Sequence, residues 1–416
     1  MGGSVKKTIY SVAVLVLLII SGSAETGLSA PVKTGIRVLV EKQQNLISGK
    51  RVGLVTNRTG IDEQFVSSID LVRGVPGAKL VALYAPEHGI RGGLRDNVGN
   101  DTDVQTGLPV YSLFGSTRKP TDEMLDGLDV LLFDMQDIGA RSYTYISTMR
   151  YCMEECAKRH VRFIVLDRPN PINGLLVDGP VLEPGLESFI GCAPIPYVHG
   201  MTIGELANYF NKELKINCDL VVVPMDGWQR WMSWSDTGLP WVPPSPNIPE
   251  PDTPWFYPAT GIFGELPLVN VGVGYTAPFK IVGAPWMDGE KVAGILNSRH
   301  IPGVYFFPFS FTPHYGIFKD AYCSGFKIMI TDSKAYRPVE VGCHIMEVLF
   351  RMYPARCSFS LPEVKEDRIK MFDRANGTDR IRQMLENGSP ATKIIESWLP
   401  ELNMFMKKRE KYLIYQ

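Results

Sequence analysis

The stretch YAPEHGIRGG, residues 84–93, places an acid and an imidazole side by side, Glu87 and His88, with Arg91 three positions further on. Cleavage of a glycosidic bond typically requires a protonated carboxylic acid at the leaving oxygen and a second carboxylate near the sugar. Because a proline and glycines flank Glu87, we expect this carboxyl group to be partly desolvated, which suits a general acid. These residue types therefore favour carbohydrate chemistry, with Glu87 as the acid.

A second carboxylate, several cations and several indoles extend this hypothesis. The candidates for the second carboxylate are Asp134, Asp137 and Glu265, and the sequence does not choose among them. Arginine binds carboxylates bidentately, so several arginines beside a carbohydrate site would suit an acidic sugar. Five tryptophans lie between residues 228 and 255, where their indole faces either stack on sugar rings or pack in the core.

These side chains follow the predicted strands in the first half of the chain. The runs RVGLVTN, KLVALYAP, DVLLFDMQD and VRFIVLDRPNP have strand patterns, and they alternate with helical patterns such as EQFVSSIDLVRG and TIGELANYFNKEL. This alternation predicts a parallel sheet covered by helices on both faces, and ligands of such sheets bind outside the carboxyl ends of the strands. Four strand-end loops carry the candidates: Asn57 and Arg58; Glu87, His88 and Arg91; Asp134, Gln136, Asp137 and Arg141; and Asp167, Arg168 and Asn170.

The pattern changes near residue 240. The stretch LPWVPPSPNIPEPDTPWFYPATG holds eight prolines, which predicts a rigid, extended linker over residues 241–258 that is neither helix nor central strand. Residues 35–240 are predicted to form an α/β domain. Residues 259–416, with mixed short strands and helices, are predicted to form a smaller α+β domain.

The N-terminal residues 1–24 have the three parts of a secretory signal peptide. Lys6 and Lys7 precede a short apolar run at 12–20, and the small residues Gly22, Ser23 and Ala24 follow it. Nine strongly apolar residues are too few to span a bilayer comfortably. The sequence therefore predicts an exported protein, periplasmic or secreted, without stable membrane insertion after cleavage of the signal.

The composition and the absence of several known motifs argue against some classes of function. The net charge of −1 gives no electrostatic case for nucleic-acid binding. None of the seven cysteines forms a CxxC pair, so buried thiols are a better interpretation than a zinc site. The sequence contains no GxGxxG, P-loop, GxSxG or HExxH motif, and we expect neither a cofactor nor a bound metal.

Several long motifs resemble one known family. The segments YAPEHGIRG, LLFDMQDIGARSYTYISTM, DRPNPING, VHGMTIGELA, PPSPNIP and PFKIVGAPW follow the order and wording of the YbbC/NamZ family, across residues 35–416. That family comprises exo-β-N-acetylmuramidases, which release N-acetylmuramic acid from the non-reducing ends of peptidoglycan fragments. The resemblance implies this activity, a role in cell-wall turnover, and a Rossmann-like domain that meets a smaller C-terminal domain at an active-site cleft.

The resemblance also implies roles for individual residues. Glu87 matches the family's proposed acid, and His88, Asp134 and Glu265 are the other catalytic candidates. The D-lactyl carboxylate of muramic acid gives a reason for arginines at the site. The substrate-binding candidates are Asn57, Arg91, Gln136, Asp137, Arg141, Arg168, Asn170, His199, Asn247 and Tyr275.

One segment departs from the family pattern. Where the family usually reads close to EGTNVSEGRGT, this chain has GELPLVNVGVGYT at residues 264–276. Glu265 is kept, but Leu268 replaces an asparagine and Val273 an arginine, so a polar contact and a charge are lost unless Asn270 or Tyr275 substitutes. We expect the segment to form a cleft wall whose glycines allow close approach to a ligand, and the departure leaves open a modified or shorter glycan as the substrate.

Two other functions stay open at this point. A non-catalytic periplasmic protein that binds sugars or muropeptides would share the fold without needing a protected acid. A metal-dependent hydrolase could use His88, His199 and Asp134, although the histidines lack close ligand spacing. The stereochemical outcome of hydrolysis is not predicted, because it depends on the separation of the two carboxylates.

Overall fold

The computed structural model describes residues 31–91 and 99–416, so the predicted signal peptide lies outside the described residues. The strands are β1 (Arg51–Thr56), β2 (Lys79–Ala85), β3 (Asp101–Thr102), β4 (Pro109–Ser112), β5 (Val130–Asp134), β6 (Arg162–Leu166), β7 (Asp178–Val181), β8 (Pro196–Val198), β9 (Leu220–Val223), β10 (Ile281–Ala284), β11 (Val304–Phe311) and β12 (Cys323–Ile330). The helices are α1 (Gly35–Lys42), α2 (Ser68–Arg73), α3 (Asp122–Leu125), α4 (Tyr145–Arg159), α5 (Ile203–Glu213), α6 (Thr253–Thr260), α7 (Gly289–Asn297), α8 (Pro338–Met352), α9 (Glu366–Asn376), α10 (Arg380–Glu386), α11 (Ala391–Glu396) and α12 (Leu399–Arg409).

A seven-stranded sheet organises the first half of the chain. Its strand order is β3-β4-β2-β1-β5-β6-β9, and every neighbouring pair is parallel except β3 with β4. Without the short β3, this is the Rossmann order, in which the order of the strands reverses between β1 and β5. The predicted parallel α/β sheet is therefore confirmed, and ligands are expected at the carboxyl edge near this reversal.

Alternating side chains of the strands build two cores, one on each face of this sheet. Leu131 and Phe133 point into the core formed with α4 and α5. Val130 and Leu132, one position away, belong to the core that includes residues of α1 and α2. Because both faces are buried, the strands are continuous apolar runs, as is typical of parallel sheets.

The second half of the chain is α+β, as predicted. A three-stranded antiparallel sheet has the order β10-β12-β11, and helices α6 to α12 accompany it. The prediction that residues 241–258 contain no helix is wrong at their end, because α6 begins at Thr253. Pro254 lies in its first turn, where the missing N–H has no intrahelical partner to lose, and Pro258 gives up one bond inside a helix that packs on α8.

All seven cysteines are free and buried, which agrees with the interpretation as core thiols. Over residues 31–91 and 99–416, no helix is both long enough and apolar enough to cross a bilayer.

Candidate active site

Glu87 lies at a pocket of about 210 Å³ beyond the carboxyl end of β2. The strand ends at Ala85, and His88, which also lines the pocket, has a φ of 72° that turns the chain sharply at this point. Thr144, at the start of α4, donates its hydroxyl to Oε2 of Glu87 at 2.7 Å. The carboxyl group is half-buried, and this bond fixes its orientation.

Tyrosines form one wall of the pocket that contains Glu87. Tyr143, Tyr145 and Tyr257 line the pocket, and the ring centroids of Tyr143 and Tyr145 are 4.8 Å apart. Burial raises the pKa of Tyr145, the negative charge of Glu87 raises it further, and the positive charge of Arg58 opposes both. Glu87 and Arg58 therefore both lie close enough to Tyr145 to act on it electrostatically.

Glu265 acts on the same wall from the C-terminal half. It ends a short 3₁₀ turn (Phe263–Glu265) directly after α6 and lies 3.7 Å from Arg368. Burial raises the pKa of Glu265, and Arg368 opposes this shift. Burial also raises the pKa of Tyr257 to about 12, and the charges of Glu265 and Glu87 both contribute to the rise. Tyr257 is thus near both carboxylates, which favours Glu265 among the candidates for the second one.

Asp134 and Arg168 form a buried ion pair instead of reaching the pocket. Nε and one terminal nitrogen of Arg168 donate to the two carboxylate oxygens of Asp134 at 2.6 and 3.0 Å. Both side chains are at most 3% exposed, and Arg168 also donates to the carbonyl of Ile61 at 2.9 Å. The pair neutralises its own charges, so neither residue is placed to meet a sugar in the pocket with Glu87.

Gln136, Asp137 and His199 form a buried polar cluster. Within the described residues, Oε1 of Gln136, Oδ1 of Asp137 and Nε2 of His199 have no hydrogen-bond partner. Nε2 of His199 is 3.8 Å from Asp137, and Nδ1 of His199 accepts the N–H of Met201 at 3.2 Å. The negative charge of Asp137 contributes to the raised pKa of Tyr143, which is caused mainly by burial. Asp137 therefore lies close to Tyr143, a residue of the tyrosine wall.

Arg141 and Asn170 form buried hydrogen bonds with backbone groups inside the protein. The guanidinium of Arg141 is fully buried and donates to the carbonyls of Pro180, Ile195 and Ala375, each at 2.8 Å. Asn170 donates to the carbonyl of Met201 and accepts the N–H of Ile172. The prediction that Arg141 binds substrate conflicts with this placement, because the side chain is fully buried and both of its terminal nitrogens donate to backbone carbonyls.

Arg91 lies at the surface. Its guanidinium donates to Asp103 at 2.6 Å and to Gln105 at 2.9 Å, and its side chain is 58% exposed. Asn57 is buried and donates to the Tyr145 hydroxyl at 2.9 Å, so it supports the tyrosine wall. Of the ten substrate-binding candidates, Asn247 lines the pocket itself.

In the segment 264–276, Asn270 and the glycines contact the chain's own backbone and stabilise the local structure. Asn270 donates to the carbonyls of Val273 and Ile317 and accepts the N–H of Gly272. A Cβ at Gly272 would lie 2.1 Å from the carbonyl oxygen of Ala277, and one at Gly274 would lie 2.0 Å from that of Tyr315. The close approach predicted for these glycines is therefore made to the chain's own backbone. Tyr275 packs against Phe309 and Phe311.

Most predicted tryptophan platforms are buried. Trp228, Trp234 and Trp255 are at most 8% exposed, whereas Trp231 is 54% exposed but lines a different cavity. Sequence reasoning missed Ser142, Thr144 and Tyr257 as pocket residues. The signal for Ser142 and Thr144 was present in the segment GARSYTYISTM, which follows a strand end and is rich in hydroxyl groups, whereas Tyr257 lies in the proline-rich stretch.

The described residues contain no group of three or more His, Cys, Asp or Glu side chains arranged to hold a metal ion. The chemistry that this geometry offers is acid–base chemistry by Glu87 in a pocket lined by tyrosines, with Glu265 near Tyr257 of the same wall.

Family models for the N-terminal and C-terminal parts of the exo-β-N-acetylmuramidase NamZ match residues 52–252 and 255–415. The chain is 44% identical over 393 residues to the peptidoglycan β-N-acetylmuramidase NamZ of Bacillus subtilis (strain 168), covering 94% of this chain and 93% of that protein.

Two solved structures of DUF1343 family proteins from Bacteroides fragilis NCTC 9343 are similar in fold. One has a TM-score of 0.88 with 44% identity and covers 93% of this chain and 100% of its own. The other has a TM-score of 0.75 with 29% identity and covers 93% of this chain and 99% of its own.

Proposed function

The chain belongs to the NamZ family of exo-β-N-acetylmuramidases, and we propose that it is an exported enzyme that releases N-acetylmuramic acid from the non-reducing ends of peptidoglycan fragments. The observation that carries this proposal is the Glu87 carboxyl group, oriented by Thr144 at the mouth of a small pocket. Its place in cell-wall turnover follows from the proposed substrate.

The geometry supports a defined role for Glu87. Because Oε2 accepts the Thr144 hydroxyl, an acidic proton on this carboxyl group belongs on Oε1, where it can be donated to the leaving oxygen. Glu265, whose pKa burial raises, is the proposed second carboxylate. Glu87 serves as the acid, and Glu265 stabilises the developing positive charge or activates water.

The size of the pocket supports an exo mode of action. Pockets for drug-sized ligands occupy roughly 300–1,000 Å³. The cavity of about 210 Å³ at Glu87 is smaller, which suits one sugar residue inserted from a chain end.

The cation that binds the lactyl carboxylate is proposed by excluding the arginines that are engaged elsewhere. Arg141 and Arg168 are engaged in buried contacts, and Arg91 is held at the surface by Asp103. Arg58 is half-buried, donates its Nε to the carbonyl of Pro243 at 2.7 Å, and acts electrostatically on the pocket residue Tyr145. We therefore assign recognition of the acidic sugar to Arg58.

Export is proposed from residues 1–24, whose basic, apolar and small-residue parts fit a signal peptide. Sequencing the N-terminus of the protein recovered from a fractionated bacterial culture tests it. A protein that begins at residue 25 outside the cytoplasm supports export, and an intact N-terminus in the cytoplasmic fraction contradicts it.

The activity is tested with a chromogenic β-N-acetylmuraminide and a natural disaccharide, each with and without EDTA. Glu87→Gln keeps the shape of the side chain and removes its ionisable proton. We expect kcat on the disaccharide to fall by about two to four orders of magnitude, and less on the aryl substrate, whose leaving group needs little protonation.

The same experiment separates the alternative functions. Tight sugar binding without turnover by the unaltered protein would indicate a binding protein of the same fold. Loss of turnover in EDTA would indicate a metal-dependent hydrolase. Near-normal turnover of the disaccharide by Glu87→Gln would refute the assignment of the acid.

A further inference from the structure

The small antiparallel sheet exposes aromatic side chains on one face. Residues 305, 307 and 309 of β11 point to the same side because side chains alternate along a strand. Tyr305 is 48% exposed and Phe307 is 54% exposed, whereas Phe306, on the other side, is buried in the core. Large aromatic rings at alternating exposed positions form an apolar patch of the kind that marks a binding surface.

This patch is continuous with the Glu87 pocket. The rings of Phe309 and Tyr275 have centroids 6.4 Å apart, and Tyr275 stacks on His314 with an interplanar angle of 20°. The neighbouring Tyr315 donates its hydroxyl at 3.3 Å to Asn247, which lines the pocket. We call this path the aromatic strip, and it consists of Tyr315, His314, Tyr275, Phe309, Phe307 and Tyr305.

The charge beside the strip suits an acidic ligand. Lys327 of β12 pairs in register with Phe307, and Met329, which is 42% exposed, pairs with Tyr305. The pKa of Glu250 is lowered mainly by its hydrogen bond with Lys280, and Lys327 contributes to the same shift. Lys327 therefore lies close enough to Glu250 to act on it electrostatically, and Glu250 is three residues from the pocket residue Asn247.

We propose that the aromatic strip binds the part of the glycan that leaves the pocket, on the reducing side of the bond that is cleaved. Aromatic faces stack on the apolar faces of sugar rings, and Lys327 faces the carboxylates that muramic acid units carry. The occupant is thus an acidic glycan longer than the disaccharide, and this assignment rests on the proposed function. A strip of this kind favours fragments with several sugars over short ones.

The test compares a long substrate with one confined to the pocket. The double variant Y305T/F307T removes two exposed rings but keeps residues with high strand propensity. We expect KM for a hexasaccharide glycan to rise by about threefold to tenfold per ring removed. Turnover of the aryl muraminide should stay unchanged, because that substrate does not reach the strip.

Phe65→Asn is the control, because Phe65 is 71% exposed in a loop before α2, outside the strip, and asparagine tolerates its φ of 64°. Equal KM values of the double variant and the control for the hexasaccharide would overturn the proposal. Sedimentation of the unaltered protein adds a second check. A dimer that Y305T/F307T dissociates, with KM unchanged, would assign the patch to self-association instead.

Lys327→Gln supplies an independent variant if the double variant does not fold. We expect it to weaken the salt dependence of KM for the hexasaccharide without changing the aryl reaction. If the unaltered protein turns over neither substrate, the proposed function fails but the strip is still tested, by hexasaccharide binding to the unaltered and double-variant proteins. Equal binding by the two would then refute it.

Discussion

The hydrogen bond between Thr144 and Glu87 gives a sharp test of the candidate acid. Thr144→Val has nearly the same shape as the native side chain and removes only the hydroxyl that donates to Oε2 at 2.7 Å. The backbone should be unaffected, because the Thr144 side chain makes no capping bond to helix α4. The variant therefore isolates the orientation of Glu87.

The size of the effect follows from the environment of this bond. Hydrogen bonds to charged groups contribute about 1.5–3 kcal/mol. Both side chains are half-buried, so water replaces part of the lost donor and the lower limit applies. A loss of about 1.4 kcal/mol corresponds to a tenfold fall in kcat/KM.

The assay measures kcat and KM separately on the natural disaccharide and on an aryl muraminide. We expect Thr144→Val to lose about tenfold in kcat on the disaccharide and less on the aryl substrate, with a melting temperature within a few degrees of the native value. Thr144→Ser restores the hydroxyl and should restore the rate. Unchanged kcat in Thr144→Val, or no rescue by serine, would refute the reasoning.

Three more changes test other parts of the site. Arg168→Met leaves Asp134 buried without its bidentate partner, so we expect a loss of about 3–5 kcal/mol in unfolding free energy by urea denaturation; a loss below about 1 kcal/mol would contradict this. Burial raises the pKa of Glu265 and Arg368 lowers it, so if the reaction needs ionised Glu265, Arg368→Met should move the acid limb of the pH–kcat/KM profile to higher pH. An unmoved limb would exclude Glu265 from that role. Arg58→Met should reduce the preference for muramic acid over N-acetylglucosamine by about tenfold to a hundredfold, measured with the paired aryl glycosides, and equal selectivity would show that another group binds the carboxylate.

The parallel sheet could be predicted because its signal is local. Buried strands are continuous apolar runs, and the helical pattern TIGELANYFNKEL forms α5, which begins with a capping box of Thr202 and Glu205. The helix predicted from EQFVSSIDLVRG is shorter than its pattern, since α2 begins only at Ser68. The Asp62 carboxylate accepts hydrogen bonds from the N–H groups of Gln64 and Val66. These bonds hold the residues before α2 in a turn.

The helix in the proline-rich stretch could not be predicted from propensity. Its stability comes from tertiary packing, because Trp255, Phe256 and Pro258 are buried against the rest of the protein. That packing outweighs the bond lost at Pro258, and the sequence of the segment contains no direct sign of it.

The strand-end rule located Glu87 but did not sort the other charged residues. It predicts which edge of the sheet carries the site, and Glu87 and His88 do lie at a pocket beyond a strand end. It cannot show that Asp134 and Arg168, on different loops, satisfy each other in the interior. Such pairing depends on the directions of side chains from two strands, which only the folded chain defines.

The two carboxylates at the tyrosine wall come from different halves of the chain. Glu87 lies in the part matched by the N-terminal family model and Glu265 in the part matched by the C-terminal one, and the charges of both raise the pKa of Tyr257. On the proposal made above, Glu87 supplies the proton and Glu265 is the second carboxylate. Each half of the chain then contributes one of the two carboxylates that cleavage of a glycosidic bond typically uses.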